Sequence, residues 1–460
     1  MTENFEDVQL PTSIPTIRTN SIRKLEETPW FLKPDYDPDH IVIVDNIVKG
    51  GTLNALIERL TSHDHLDTSF IMTFLLTYRT FTNTVEFLDL LFRRYSLTCP
   101  IGLQPDDQEL WREKKLKPVR LRVFSVLKTW LESFYLEEED SRGLENLRHF
   151  ASTTMSESNT ASAGVLMKLV RKRKESSDGQ FRKMVRSLRE APTPILPKNL
   201  SKFKLLDLDP LEIARQLTIV DSRLYNDLKP VEFLNKAWSR KDNISSPNVT
   251  RLIERFNQVN YWVAESILTQ HDAKKRCTVI RRFISVAEAC AHLNNFSGVM
   301  AILAGFNMAP VFRLKRTWDL IAGKPLIILE TLKKTMDSSK NFAEYRELLH
   351  SVNPPCVPFL GVYLTDLTFN EDGNPNYMPK LPHLINFGKQ AKTAEIIREI
   401  QGYQNSHYNL DAVAEIQDYL TDQISKAKNL AQLYELSLQM EPKEREDEKI
   451  ARLLHESGFL

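Results

Sequence analysis

Apolar residues recur at helical spacing through most of the chain. Thr52 is an N-cap residue, and Leu53, Leu56, Ile57 and Leu60 follow it on one helical face. Asp67 or Thr68 caps a second helix, with Phe70, Ile71, Phe74, Leu75 and Tyr78 on one side. A third covers 85–95. A longer one covers 119–135 through Leu121, Phe124, Leu127, Trp130, Leu131 and Phe134, and the acidic run 137–140 marks its end. The pattern resumes near Leu205. Asp209-Pro210 and Ser246-Pro247 are each a cap followed by a first-turn proline. Leu211, Ala214, Leu217 and Ile219 follow the first; Val249, Leu252, Ile253, Phe256, Val259, Val263 and Ile267 follow the second. Further helical stretches lie at 279–290, 299–306, 326–336, 342–352 and 389–403, and segments with strand periodicity are scarce. The expectation is an all-α chain, with a small helical domain at 41–150 and a large helical domain at 205–442.

The segments between them have a different character. Residues 1–40 lack apolar periodicity and contain Pro11, Pro15, Pro29, Pro34 and Pro38, which predicts an extended or disordered start. Residues 151–164 have the Ser, Thr and Ala content of a flexible linker. A basic segment then runs from Arg171 to Arg189, beside Ser176 and Ser177, and Pro192, Pro194 and Pro197 follow. Its cations form either a solvated helix face or a contact for anionic lipid or phosphate. The whole of 151–204 reads as a flexible, basic linker, and 443–460 as a charged tail.

Composition narrows the chemistry. Hydrophobic residues make up 42% and charged residues 26% of 460, ordinary for a globular protein with a sizeable core. A net charge of +1 gives no bulk electrostatic case for nucleic acid. Cys99, Cys277, Cys290 and Cys356 form no Cys-x-x-Cys pair, so neither a zinc site nor a disulfide framework is expected, and a reducing compartment is. No apolar run reaches membrane-spanning length, the N-terminus does not read as a signal peptide, and no lipidation motif is present. There is no His-Glu-x-x-His and no Gly-x-Ser-x-Gly. Lys49-Gly50-Gly51-Thr52 lacks the spacing of a phosphate-binding loop and reads as a turn that starts a helix. No cofactor and no metal is expected.

One stretch breaks a local rule. After Pro354, Pro355 and Pro358, residues Phe359, Leu360, Val362, Tyr363, Leu364 and Leu367 predict a largely apolar helix of three to four turns. Pro358 suits its first turn, Gly373 a left-handed position after its end, and Pro375 blocks continuation. Yet Asp366, Glu371 and Asp372 load its C-terminal half with carboxylates, where the helix dipole is already negative. Either this is a buried helix with a solvated acidic end, or a rigid lever whose acidic tip is aimed at a cation or phosphate site on another molecule.

The run Pro354-Pro355-Cys356-Val357-Pro358-Phe359-Leu360-Gly361-Val362-Tyr363-Leu364-Thr365-Asp366-Leu367, then Gly373-Asn374-Pro375, then Leu384-Ile385-Asn386-Phe387-Gly388-Lys389, resembles the helical hairpin of the Ras-family guanine-nucleotide exchange factors. Gly50-Gly51-Thr52, the run from Phe74 to Phe81, and Leu121-Arg122-Val123 resemble the exchanger motif domain that accompanies the exchange domain. Residues 209–218, 294–299 and 310–314 resemble helices of the exchange domain itself. The likeness covers roughly 41–442.

The resemblance implies a protruding helical hairpin and a non-covalent catalyst of nucleotide exchange on a small GTPase, which it binds best when that GTPase is empty. Weaker nucleotide binding by the GTPase then follows from linkage. On this likeness Phe359 seats the hairpin, and Thr365 and Asp366 face the GTPase. Thr368, Asp372 and Asn374 belong to the tip beside switch I, magnesium and the α-phosphate. Trp238, Leu252, Ile253, Asn257, Met300, Asn307 and Phe312 fall on the cradle for switch II. Leu121 and Arg122 mark a candidate distal site for a second, GTP-loaded GTPase. Three positions depart from the usual pattern: Thr368 where an apolar residue is common, Asp372 for Glu, and Phe312 for Tyr. The family acts in the cytoplasm at a membrane's inner face, which implies peripheral recruitment. Three alternatives stay open: a Rap-type rather than Ras-type partner, a catalytically silent scaffold of the same fold, and a GTPase-activating protein, which would need an arginine finger.

Overall fold

Side-chain caps start many of the helices. In the computed structural model, which describes residues 28–175, 190–240 and 244–442, Thr52 accepts from the Ala55 amide to begin α1 (Leu53–Leu60). Asp67 does the same for α2 (Thr68–Thr77) and Asn83 for α3 (Thr84–Tyr95). The first domain continues with α4 (Lys117–Thr129), α5 (Glu137–Phe150) and α6 (Thr160–Glu175). Its core is built on Leu56, Phe74, Tyr78, Phe87, Val123 and Trp130. The second domain comprises α7 (Pro210–Asn226), α8 (Pro247–Leu268), α9 (Ala273–His292), α10 (Phe296–Asn307), α11 (Lys324–Thr335) and α12 (Ser339–Ser351). It closes with α13 (Leu360–Gly373), α14 (Phe387–Gly402), α15 (Ala414–Ser425) and α16 (Leu430–Met440). Its core gathers Val263, Ile280, Phe283, Ile302, Tyr345 and Tyr363. The chain is helical with few strands, as the apolar spacing predicts.

Four expectations need correction. The acidic run 137–140 does not end a helix; it opens α5, where carboxylates meet the favourable end of the dipole. The stretch 151–164 is not a flexible linker. It is helical, and Met155, Ala163, Leu166 and Val170 are buried in the first core, so spaced apolar side chains outweigh the Ser and Thr around them. Residues 28–40 are not free either. The buried Lys115 ammonium donates to the carbonyls of Phe31 (3.3 Å) and Lys33 (2.7 Å) and to Asp35 (2.6 Å), and Phe31 is buried. Gly373 is the last helical residue, not a left-handed cap. Asn374 takes over that function, donating from Nδ2 to the Asn370 carbonyl at 3.0 Å. The predicted disorder of 1–27, the basic stretch 176–189 with Ser176 and Ser177, and the charged tail 443–460 lie outside the described residues.

The strands, though few, join the domains. β1 (Ile41–Val44) and β2 (Ile47–Gly51) form a hairpin, as do β3 (Tyr377–Met378) and β4 (Leu381–Ile385). β2 pairs antiparallel with β4, Gly51 opposite Ile385, giving one sheet of order β1-β2-β4-β3. A Cβ on Gly50 would lie 2.3 Å from Met378 Sδ and 2.9 Å from the Ile385 carbonyl oxygen, so glycine is required where the ribbons cross. Gly50 and Gly51 thus belong to a strand junction, while Thr52 alone starts the helix.

Candidate functional site

The site is built on α13, and its root is fixed first. Val357 exchanges backbone hydrogen bonds with the turn before α10: its amide donates to Asn294 and its carbonyl accepts from Phe296, both at 2.9 Å. Phe359, the residue before α13, is half-buried between Phe256 of α8 and Phe342 of α12, with ring centroids 5.4 and 6.0 Å away. Its amide donates to the Tyr345 hydroxyl at 2.8 Å. Burial holds the Tyr345 phenol well above its usual pKa, so it stays a neutral acceptor.

A strained turn supplies the next brace. Inside α12, Lys340, Asn341 and Phe342 have left-handed φ of 50°, 57° and 58°, unusual for non-glycine residues and most costly for the aromatic one. The regular helix therefore begins after Phe342. Asn341 Nδ2 reaches Asp366 at 3.2 Å, and Arg346 donates to both Asp366 oxygens at 2.9 and 2.8 Å. Asp366, expected on the contact face, is thereby half-buried in a forked ion pair.

The second arm, α14, zips onto the first. The Tyr363 hydroxyl donates to Glu399 at 3.0 Å, and Asn370 Nδ2 to Thr393 at 2.9 Å and the Lys389 carbonyl at 3.1 Å. Lys389, 3% exposed, pairs with Glu371 at 2.8 Å and donates to Asn376 at 2.6 Å. The far side of α14 rests on the first domain. Phe387 stacks on Phe70 and Phe74 at 4.7 and 6.5 Å, and Arg398 donates to Thr73 at 3.1 Å.

The outward face of α13 carries Thr365, Phe369 and Asp372 at i, i+4 and i+7, all exposed. Thr365 and Thr368 spend their hydroxyls on the Gly361 and Leu364 carbonyls at 2.8 and 2.7 Å. Asp372 pairs with Lys236 at 2.6 Å. Each carboxylate that the helix dipole disfavours therefore meets a cation: Asp366 an arginine, Glu371 and Asp372 each a lysine. Asn374 turns inward to Asn370.

The expected cradle residues divide. Ile253 and Asn257 stand exposed on α8, on either side of the Phe256 that seats Phe359. Asn307 is exposed at the end of α10, and Phe312, 70% exposed, follows it. Met300 and Trp238 are half-buried against the second core. Leu252 is buried within that core and supports the surface from below. Far from these, Leu121 is exposed and Arg122 half-buried on α4, where Leu121 borders a groove with Tyr95, Arg120 and Phe124.

Sequence reasoning missed several contributors. Phe369 is 67% exposed, and its spacing from Thr365 and Asp372 was the available signal. Lys236, Arg346 and Tyr345 gave none, because their partners are distant in sequence; Lys389 stood in the run that resembles the hairpin, but nothing marked its pairing with Glu371.

Two family models match the chain: the RasGEF N-terminal motif over residues 47–150 and the RasGEF domain over 212–391. The chain is 36% identical over 441 residues to cell division control protein 25 of Saccharomyces cerevisiae, covering 90% of this chain and 28% of that one. It is 36% identical over 409 residues to Ras guanine nucleotide exchange factor J of Dictyostelium discoideum, covering 88% and 49%. Against the protein son of sevenless of Drosophila melanogaster it is 33% identical over 454 residues, covering 90% and 28%. The chain thus spans between about a quarter and a half of the length of these relatives.

Proposed function

The chain belongs to the RasGEF family, and from that premise we propose that it promotes GDP release from a Ras-type small GTPase by inserting α13 beside the switch I loop. The observation that carries this reading is the braced lever: a helix fixed at its root and along its inner side, with Thr365, Phe369 and Asp372 left outward. Such a helix enters a partner without bending, so binding energy goes into displacing the partner's loop rather than ordering the lever. The exposed Ile253, Asn257, Asn307 and Phe312 supply a second surface, for switch II. Phe312 and Phe369 offer the aromatic area typical of interface anchors. Thr368 and Asp372 crowd the magnesium and α-phosphate, and Phe359 holds the lever in register.

No bond is made or broken. The chain binds the empty GTPase more tightly than the loaded one, and nucleotide is weakened by the same factor. The bracing of α14 by Phe70, Phe74 and Thr73 supports dependence of exchange on the first domain. Among the described residues no helix is long and apolar enough to cross a membrane. Action at a membrane's inner face, through peripheral recruitment, is part of the same proposal.

The test is release of fluorescent GDP from Ras-type and Rap-type GTPases with excess unlabelled nucleotide, beside GTP hydrolysis. Accelerated release is expected. Binding without release would identify a silent scaffold, and accelerated hydrolysis a GTPase-activating protein. The exposure of Leu121 over its groove supports a second reading, a distal site for GTP-loaded GTPase. There Arg122→Glu should abolish stimulation by added GTP-loaded Ras and keep basal release. No stimulation of the parent chain would remove that site.

A further inference from the structure

The two carboxylates that end α13 are tied to lysines of different character. The Lys389–Glu371 pair is enclosed: the lysine is 3% exposed, the glutamate 24%, and Asn376 is a further acceptor 2.6 Å from the same ammonium. The Lys236–Asp372 pair lies open, with the side chains 32% and 58% exposed. Lys236 comes from another part of the chain, the short turn that also carries Trp238. Lys236 and Asn235 both have a left-handed φ of 51°, although neither is glycine. The loop is thus held in an uncommon conformation at the point where its ammonium covers the lever's acidic tip.

An anionic tip is of use against phosphate only while its charge is free. In this structure that charge is neutralised 2.6 Å away. We propose that Lys236 is a positioning residue acting through Asp372: it holds the tip carboxylate while the lever is empty and releases it when the GTPase docks. The proposal rests on the exchange reading above. The enclosed pair is a permanent clasp; the open pair is a latch. An exposed pair is a weak tie, worth no more than about a fivefold factor in equilibrium. Docking therefore opens it at little cost, and the loop that carries Trp238 moves free of the tip in the same event.

The test uses the full chain with Lys236→Met, Asp372→Asn and the double substitution. Hydrogen–deuterium exchange of the free protein comes first. The amides of residues 370–374 should exchange about two- to fivefold faster in Lys236→Met than in the parent. The double variant should match Asp372→Asn alone, because a latch with one half missing has nothing further to lose. Unchanged tip amides, or a double variant showing the product of both single effects, would overturn the proposal. Release of fluorescent GDP from a Ras-type GTPase comes second. Lys236→Met should release about two- to fivefold faster than the parent at low salt, and the gap should close as salt rises. Slower release by Lys236→Met would also overturn the latch, since the lysine would then serve the complex rather than the empty lever. A parent chain with no release activity at all would instead sink the exchange reading, and the amide-exchange result would still decide whether the latch exists.

Discussion

At its root, α13 is held by Phe256 and Phe342 on either side of Phe359, by a buried phenol on the Phe359 amide, and by Arg346 on Asp366. At its tip, Asp372 stands exposed and is tied to Lys236 across an open surface. The root rests chiefly on apolar area, which is insensitive to salt and lost only by removing atoms, and its one ion pair is part-buried. The tip uses charge, which is weak in water and quickly exchanged for another partner. A lever built this way has a fixed fulcrum and a free end, and the two should respond to substitution very differently.

The largest effect is expected at the fulcrum. Phe359→Ala should lower stability by about 2–3 kcal/mol, below the ~3–5 kcal/mol of a fully buried ring because Phe359 is half-exposed. GDP release should fall by more than about tenfold, since each 1.4 kcal/mol lost at the interface is a factor of ten. Chemical denaturation beside the release assay checks both; a stable, active variant would break the comparison at once. Next is Gly50→Val. Its added carbons collide with Met378 and the Ile385 carbonyl, and overpacking of this kind costs ~1–3 kcal/mol. A lower melting temperature and slower release are expected, although Gly50 lies outside the exchange domain.

Arg346→Met comes third, at about 1 kcal/mol for a part-buried forked pair, with release reduced a fewfold. The response should be larger in release than in melting, because Asp366 anchors the lever and not the core. The smallest stability change belongs to the tip. Asp372→Ala should shift stability by less than about 0.5 kcal/mol. It should still slow release modestly, and Asp372→Lys should slow it further, as a cation there attracts the phosphate. If Asp372→Lys releases GDP as fast as the parent, the tip's charge has no part, and the lever acts by steric displacement alone.

What the sequence disclosed follows the range of the interactions. Helix starts depend on neighbours within a turn, so Thr52, Asp67 and Asp209 could be read directly. The acidic end of α13 was visible as an anomaly, but not its resolution. Lys236 lies 136 positions from Asp372, and nothing local to either residue marks the pair. β3 and β4 were hidden for another reason: Pro379 and Pro382 interrupt them and no apolar alternation marks them, so their pairing is imposed by β2 and the closeness of Gly50 to Met378. In 151–164 the apolar positions were present, yet composition argued for a linker; burial of Met155 and Ala163 decided otherwise.

The shared sheet also has a consequence in time. Thr73 and Arg398, which meet across the domain junction, lie 325 positions apart, and β2 waits slightly longer for β4. At ~5–20 residues per second of synthesis, β2 emerges roughly 15–70 s before its partner strand does. Through that interval β2 presents an unpaired edge, and Phe70 and Phe74 lack the Phe387 ring that later joins them. The nascent chain is thus most prone to association with its own copies after β2 is made and before β4 is, and the lever is completed only within that interval.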